Sequence, residues 1–206
     1  MIDAAILPLQ RRVLEPPARF LAARGVAADA ITLAGFGIGV MAVPALAAGW
    51  YWLALGLIAL NRLADGLDGA VARASGTASA RGAFLDIALD FVFYALVPLG
   101  FALAEPGANA LAAAVLIAAF VGTGSSFLAF STIAAQRDVK TRAYPNKGIA
   151  YLGGLTEGFE TILFFVLICL FPAWFAPLAY LFALACAVTT LTRWYQGWVV
   201  FSDARR

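Results

Sequence analysis

The chain contains no histidine. That absence excludes an imidazole base, a zinc–histidine site and a phosphohistidine intermediate. Cysteine is scarce as well: Cys169 and Cys186 are the only two, both inside apolar stretches, at a spacing that fits neither a disulfide framework nor a zinc knuckle. Both read as packing residues. Charge is the third shortage. Asp, Glu, Lys and Arg make up 13% of the 206 residues, against about 25% in ordinary soluble domains. A net charge of +2 is too small to suggest nucleic-acid binding.

Apolar residues fill the space instead. They account for 63% of the chain, with a mean hydropathy of +0.88, where soluble domains have roughly 45 to 50% even with glycine counted. A hydrocarbon layer of about 30 Å requires roughly 20 apolar residues per helical crossing. Six segments meet that requirement, at residues 31–48, 50–72, 82–104, 108–134, 149–171 and 173–201. The expected architecture is therefore all-α: a polytopic membrane protein of six transmembrane helices, residues 29–206, preceded by a cytoplasmic, interfacial amphipathic segment at residues 1–28. That first segment carries Arg11, Arg12, Arg19 and Arg24 around Pro16 and Pro17, which is unlike a signal peptide.

Lysine and arginine collect on one side. They lie in the N-terminal segment, in the second-to-third connection (Arg73, Arg81), in the fourth-to-fifth (Arg137, Lys140, Arg142, Lys147) and at the C-terminus (Arg205, Arg206). The other three connections have none. Both termini are thus expected in the cytoplasm. Trp50, Tyr51, Trp52, Trp174, Phe175, Trp194 and Trp198 fall near the expected interfaces, as an aromatic belt would.

The chemistry lies at the cytoplasmic ends of the second and third spans. There Asp65, Asp68, Gly69 and Ala72 recur at helical spacing, and so do Gly82, Asp86 and Asp90. Each set occupies one helix face, so four carboxylates can converge between two helices joined by a short turn. An ionised aspartate at mid-span costs on the order of 2.5 to 3.5 kcal/mol, and a position near a helix end lowers that cost without removing it. Arg62 and Arg73 offset part of the charge; two cations do not balance four anions. One or two divalent cations would, and an all-oxygen donor set favours Mg²⁺ or Mn²⁺ over zinc or copper. Two such ions about 4 Å apart are a common clamp for phosphoryl displacement. Gly69 and Gly82 either admit a ligand close to the backbone or allow close helix packing.

The run Asp65-x-x-Asp68-Gly69-x-x-Ala72-Arg73, eight residues, Gly82-x-x-x-Asp86-x-x-x-Asp90 resembles the signature of the CDP-alcohol phosphatidyltransferase family, with each fixed position present. The resemblance implies transfer of a phosphatidyl group from CDP-diacylglycerol, or a related CDP-alcohol, to an alcohol hydroxyl with release of CMP. It implies that Asp65, Asp68, Asp86 and Asp90 hold two metal ions, with Asp90 also the general base. Gly69, Arg73 and Ser79 would contact the donor's cytidine diphosphate, together with Asp29 and Thr32 at the opening of the first span. Many members have Pro-Asn where this chain has Ala28-Asp29, and Asp29 reads equally as an N-cap. The resemblance further implies a homodimer in the bacterial cytoplasmic (inner) membrane with its active site facing the cytoplasm.

Candidates for an acceptor site lie toward the C-terminal half of the chain. Arg142 and Lys147 are candidates for an anionic acceptor, glycerol 3-phosphate or inositol phosphate, or are plain topology signals. Glu157 suits an amine-bearing acceptor such as serine, or a pairing with Arg193 in the last span; Glu160 shares its intramembrane setting. From another class, a divalent-cation or proton transporter would also use intramembrane aspartates. Against it stand the absence of internal symmetry and the crowding of the acids toward one side.

Overall fold

A computed structural model of the chain describes residues 2–137 and 154–202. Among these residues every regular element is helical: α1 (Ile2–Ala23), α2 (Ala28–Val40), α3 (Ala42–Ala47), α4 (Tyr51–Ser75), α5 (Ala80–Ala104), α6 (Pro106–Gln136), α7 (Gly158–Leu170), a short 3-10 turn (Pro172–Trp174) and α8 (Phe175–Ser202).

Local sequence explains the main breaks. Pro44 has no N–H for the Val40 carbonyl, so the helical ladder is interrupted at Met41 and resumes as α3. α4 ends where Gly76 takes φ +67, a left-handed conformation that glycine adopts without steric cost, and Thr77 N–H then closes on the Ala72 carbonyl at 2.9 Å. Ser79 starts α5 by accepting the Gly82 N–H at 3.1 Å. The turn between the two helices is therefore short, and it holds their acidic ends side by side.

Among the described residues, four segments are long and apolar enough to cross a membrane: Ala28–Ala47, Ala80–Ala104, Pro106–Gln136 and Pro172–Ser202. The expectation of six differs at two places. α4 has the length, but Arg62, Asp65, Asp68 and Arg73 keep it out of the apolar class. In the expected fifth span, 149–171, the described helix begins only at Gly158; its 13 residues reach roughly 20 Å at 1.5 Å per residue.

The core is aromatic. Phe93, Phe101, Phe165 and Phe175 are fully buried with Leu46, Ile58, Leu116 and Ile168. Phe101 stacks on Phe175 at 4.5 Å between ring centroids, and Phe93 meets Phe165 edge-on at 6.1 Å. Phe175 is thus a core residue and not part of an interfacial belt, whereas Trp50, Trp52, Trp174, Trp194 and Trp198 are exposed. Cys169 and Cys186 are buried free thiols in the same core. Leu111, Val121, Leu181 and Leu184 face outward, giving the exterior an apolar surface suited to lipid. This packing fixes α5 along its length, and with it the carboxylates near its start.

Candidate active site

Asp65, Asp68, Asp86 and Asp90 line a single small cavity with Thr32, Asn61 and Arg62. The helical spacing that places two carboxylates on one face of α4 and two on one face of α5 thus brings them together. α2 closes the third side. Gly35 lies so near α4 that a Cβ there would come within 2.5 Å of the Ala64 Cβ. That approach allows the Thr32 hydroxyl to donate to Asp68 Oδ2, while Asp68 Oδ1 accepts the Gly69 N–H.

Arg62 supplies the counter-charge. Its Nη2 lies 2.6 Å from Asp90 Oδ1 and its Nη1 3.8 Å from Asp65 Oδ2. Nε donates to Asn61 Oδ1 at 2.8 Å, Nη1 donates to the Tyr94 hydroxyl at 3.4 Å, and the guanidinium carbon lies 4.7 Å from the centre of the Phe93 ring. Asn61 is itself anchored, since Nδ2 donates to the Gly35 carbonyl at 2.9 Å. Asn61 and Tyr94 were not singled out from sequence, although the signal was present: Asn61 precedes Asp65 by four residues and Tyr94 follows Asp90 by four, extending both stripes.

The all-oxygen donor set fits a hard divalent cation. Among the described residues, however, no three carboxylates stand close enough to form a ready-made cage. The Arg62 guanidinium lies between Asp65 and Asp90, and the remaining cavity is only about 10 Å³.

Beside this cavity a second cluster joins the starts of α2 and α5. Arg81 donates through Nε to Asp29 Oδ2 at 2.8 Å, with Nη2 at 2.6 Å. The N-cap reading of Asp29 is corrected: the cap is Ala27, and Asp29 lies inside the first turn, where the helix dipole favours its charge. A Cβ on Gly82 would lie 3.2 Å from Asp29 Oδ1 and 3.4 Å from Ser79 Oγ, so glycine lets these groups meet. A Cβ on Gly69 would lie 3.2 Å from Arg73 Nη1. Arg73 also borders a larger cavity of about 750 Å³ between α1 and α4, lined by Ala18, Ala22, Ala70 and Ala74. The four aspartates lie in the smaller cavity, and the larger one combines alanines with Glu15, Arg19, Arg73 and Ser75.

Of the acceptor candidates, Arg142 and Lys147 lie outside the described residues. Glu157 has a structural role: with Glu160 it forms a capping box at the start of α7, and its Oε1 also accepts the Gly154 N–H at 2.9 Å. Arg193 is buried and donates to the Thr123 carbonyl at 3.0 Å, next to the Gly154 turn.

The CDP-alcohol phosphatidyltransferase family profile matches residues 25–196. The chain belongs to this family. It is 53% identical over 206 residues to inner membrane protein YnjF of Escherichia coli, covering all of both chains. It is 36% identical over 121 residues to the phosphatidylinositol phosphate synthase of Cutibacterium acnes, covering 57% of this chain and 58% of that one. Two crystal structures of Mycobacterium tuberculosis phosphatidylinositol phosphate synthase share the fold. The one with CDP-DAG bound has a TM-score of 0.65 at 24% identity, covering 91% of this chain and 94% of that one. The one with manganese and citrate has a TM-score of 0.68 at 23% identity, covering 90% and 88%. Family membership makes the chain a membrane-embedded transferase of phospholipid biosynthesis and replaces the ion-pathway reading.

Proposed function

We propose that this member transfers the phosphatidyl group of CDP-diacylglycerol to the hydroxyl of a small alcohol, releasing CMP. The observation that carries the reading is the convergence of Asp65, Asp68, Asp86 and Asp90, from two helices, on one cavity. The CDP-DAG bound to the Mycobacterium tuberculosis enzyme supports the choice of donor. Glycerol 3-phosphate, inositol phosphate and serine are the acceptors to test, with Arg142, Lys147, Glu157 and Arg193 as candidate contacts.

In this reading Asp65, Asp68, Asp86 and Asp90 hold two Mg²⁺ or Mn²⁺ ions, a choice supported by the oxygen donors and by the manganese in the related structure. Bound there, the ions would draw charge from the diphosphate and stabilise the CMP leaving group. Asp90 accepts the acceptor's hydroxyl proton as the new O–P bond forms and the bond from that phosphorus to the CMP oxygen breaks. Arg73 and the Ser79 hydroxyl hold the diphosphate, Gly69 lets it approach the backbone, and Asp29 and Thr32 border it from α2. The cavity beside Arg73, lined by alanines together with Glu15, Arg19 and Ser75, offers space for part of the donor.

The membrane arrangement belongs to the same proposal. α4 crosses with its charged face turned into the bundle, α7 belongs to the fifth of six crossings, and α1 lies along the surface as an amphipathic helix. Both termini and the active site face the cytoplasm, and the apolar faces of α6 and α8 pair two copies. The test is CMP release by purified protein with CDP-diacylglycerol, Mg²⁺ or Mn²⁺, and each alcohol in turn. Acceptor-dependent release abolished by chelation supports the reading; CDP-diacylglycerol that neither binds nor turns over overturns it.

A further inference from the structure

We propose that Arg62 is a resident counter-cation that must leave Asp90 before a metal ion can bind, so that metal binding and release of this guanidinium are one coupled event. The inference rests on the metal role proposed for the four aspartates and goes beyond it.

Three observations carry it. The guanidinium occupies the place between carboxylates of different helices, 2.6 Å from Asp90 Oδ1 and 3.8 Å from Asp65 Oδ2. The space left among the four aspartates is about 10 Å³, roughly the minimum for one water. A hydrated divalent cation cannot enter beside the guanidinium; one has to give way. Finally, Arg62 is held by groups that are not aspartates. Asn61 Oδ1 accepts its Nε at 2.8 Å, the Tyr94 hydroxyl accepts Nη1 at 3.4 Å, and the Phe93 ring stacks at 4.7 Å. Asn61 is in turn tied to the Gly35 carbonyl at 2.9 Å. These contacts hold the guanidinium in its place against Asp90, so loosening them frees it to leave.

Asn61 is therefore a positioning residue, acting on the metal site through Arg62. The guanidinium keeps four crowded carboxylates compatible with a low-dielectric site. It also lowers metal affinity, because each binding event must first displace an internal cation.

The test measures Mn²⁺ binding by electron paramagnetic resonance in the absence of substrate, together with thermal unfolding in chelator. Arg62→Gln should bind Mn²⁺ more tightly by at least about fivefold, the lower end of typical coupling, and should unfold at lower temperature in chelator. Asn61→Ala leaves the net charge unchanged, so a general electrostatic effect would not alter its Mn²⁺ affinity; displacement predicts tighter binding there as well. If Arg62→Gln does not fold, Asn61→Ala carries the test alone. Unchanged or weaker Mn²⁺ binding in the folded variants, with normal binding in the parent, overturns the counter-cation role and leaves the metal site standing. No Mn²⁺ binding in the parent or in any variant overturns the metal reading as well.

Discussion

Asp29 and Arg81 form an ion pair at 2.6 Å across 52 residues of sequence, tying the first turn of α2 to the first turn of α5. Arg81 is 80% exposed and Asp29 is 23% exposed, so as a surface pair it contributes at most about 1 kcal/mol. The pair lies against Gly82 and Ser79, where the donor's nucleotide is proposed to bind. Asp29→Asn is therefore expected to leave thermal stability nearly unchanged and to raise the KM for CDP-diacylglycerol. A large fall in melting temperature with unchanged KM would assign the pair to folding alone.

Asp90→Asn should abolish CMP release while leaving donor binding largely intact. Asparagine keeps the shape of the side chain and its oxygen for Arg62, but it cannot take up the acceptor's proton. Binding of CDP-diacylglycerol, followed by isothermal titration in detergent, separates this loss from collapse of the site. Retained turnover in the purified variant would falsify the base assignment.

The acidic stripes were legible because two physical rules act together. Helical period puts residues three and four apart on one face, and charge within an apolar span persists only where it has partners. The end of α4 was legible for a similar reason, since Gly76 follows the last regular residue. The Asp29–Arg81 pair was not, because only the tertiary placement of α2 beside α5 brings the two together. Glu157 was readable in a second way as well: an acid three residues before Glu160 at a helix start is a capping pattern, which the intramembrane setting of the pair overshadowed. For Phe175, position near an interface says nothing about which way the ring points, and it stacks inward on Phe101. The break at Met41 was also present in the sequence, in Pro44.

Ser79 has two roles that substitution can separate. As the N-cap of α5 it accepts the Gly82 N–H, so Ser79→Ala should cost about 0.5 to 2 kcal/mol. Ser79→Asp preserves the cap but places a negative charge where the diphosphate is proposed to lie. Its melting temperature should match the parent while its donor KM rises sharply. A Ser79→Asp variant with normal donor KM would remove this hydroxyl from the nucleotide site.

Two glycine substitutions should act in opposite directions. At Gly35 an added Cβ would lie 2.5 Å from the Ala64 Cβ, closer than side-chain carbons tolerate, so α2 must move away from α4. Gly35→Ala is expected to cost about 1 to 3 kcal/mol, the usual range for overpacking. The displacement also strains the Thr32–Asp68 and Asn61–Gly35 hydrogen bonds, so turnover should fall along with stability. At Gly56, within α4, nothing lies within 4 Å of an added Cβ, and alanine should gain about 1 kcal/mol from helix propensity. Thermal unfolding of the two variants in one detergent, alongside CMP release, checks both. Equal stability would mean that α2 and α4 do not meet as closely as Gly35 and Ala64 require, and the α2 side of the carboxylate cavity would then need to be redrawn.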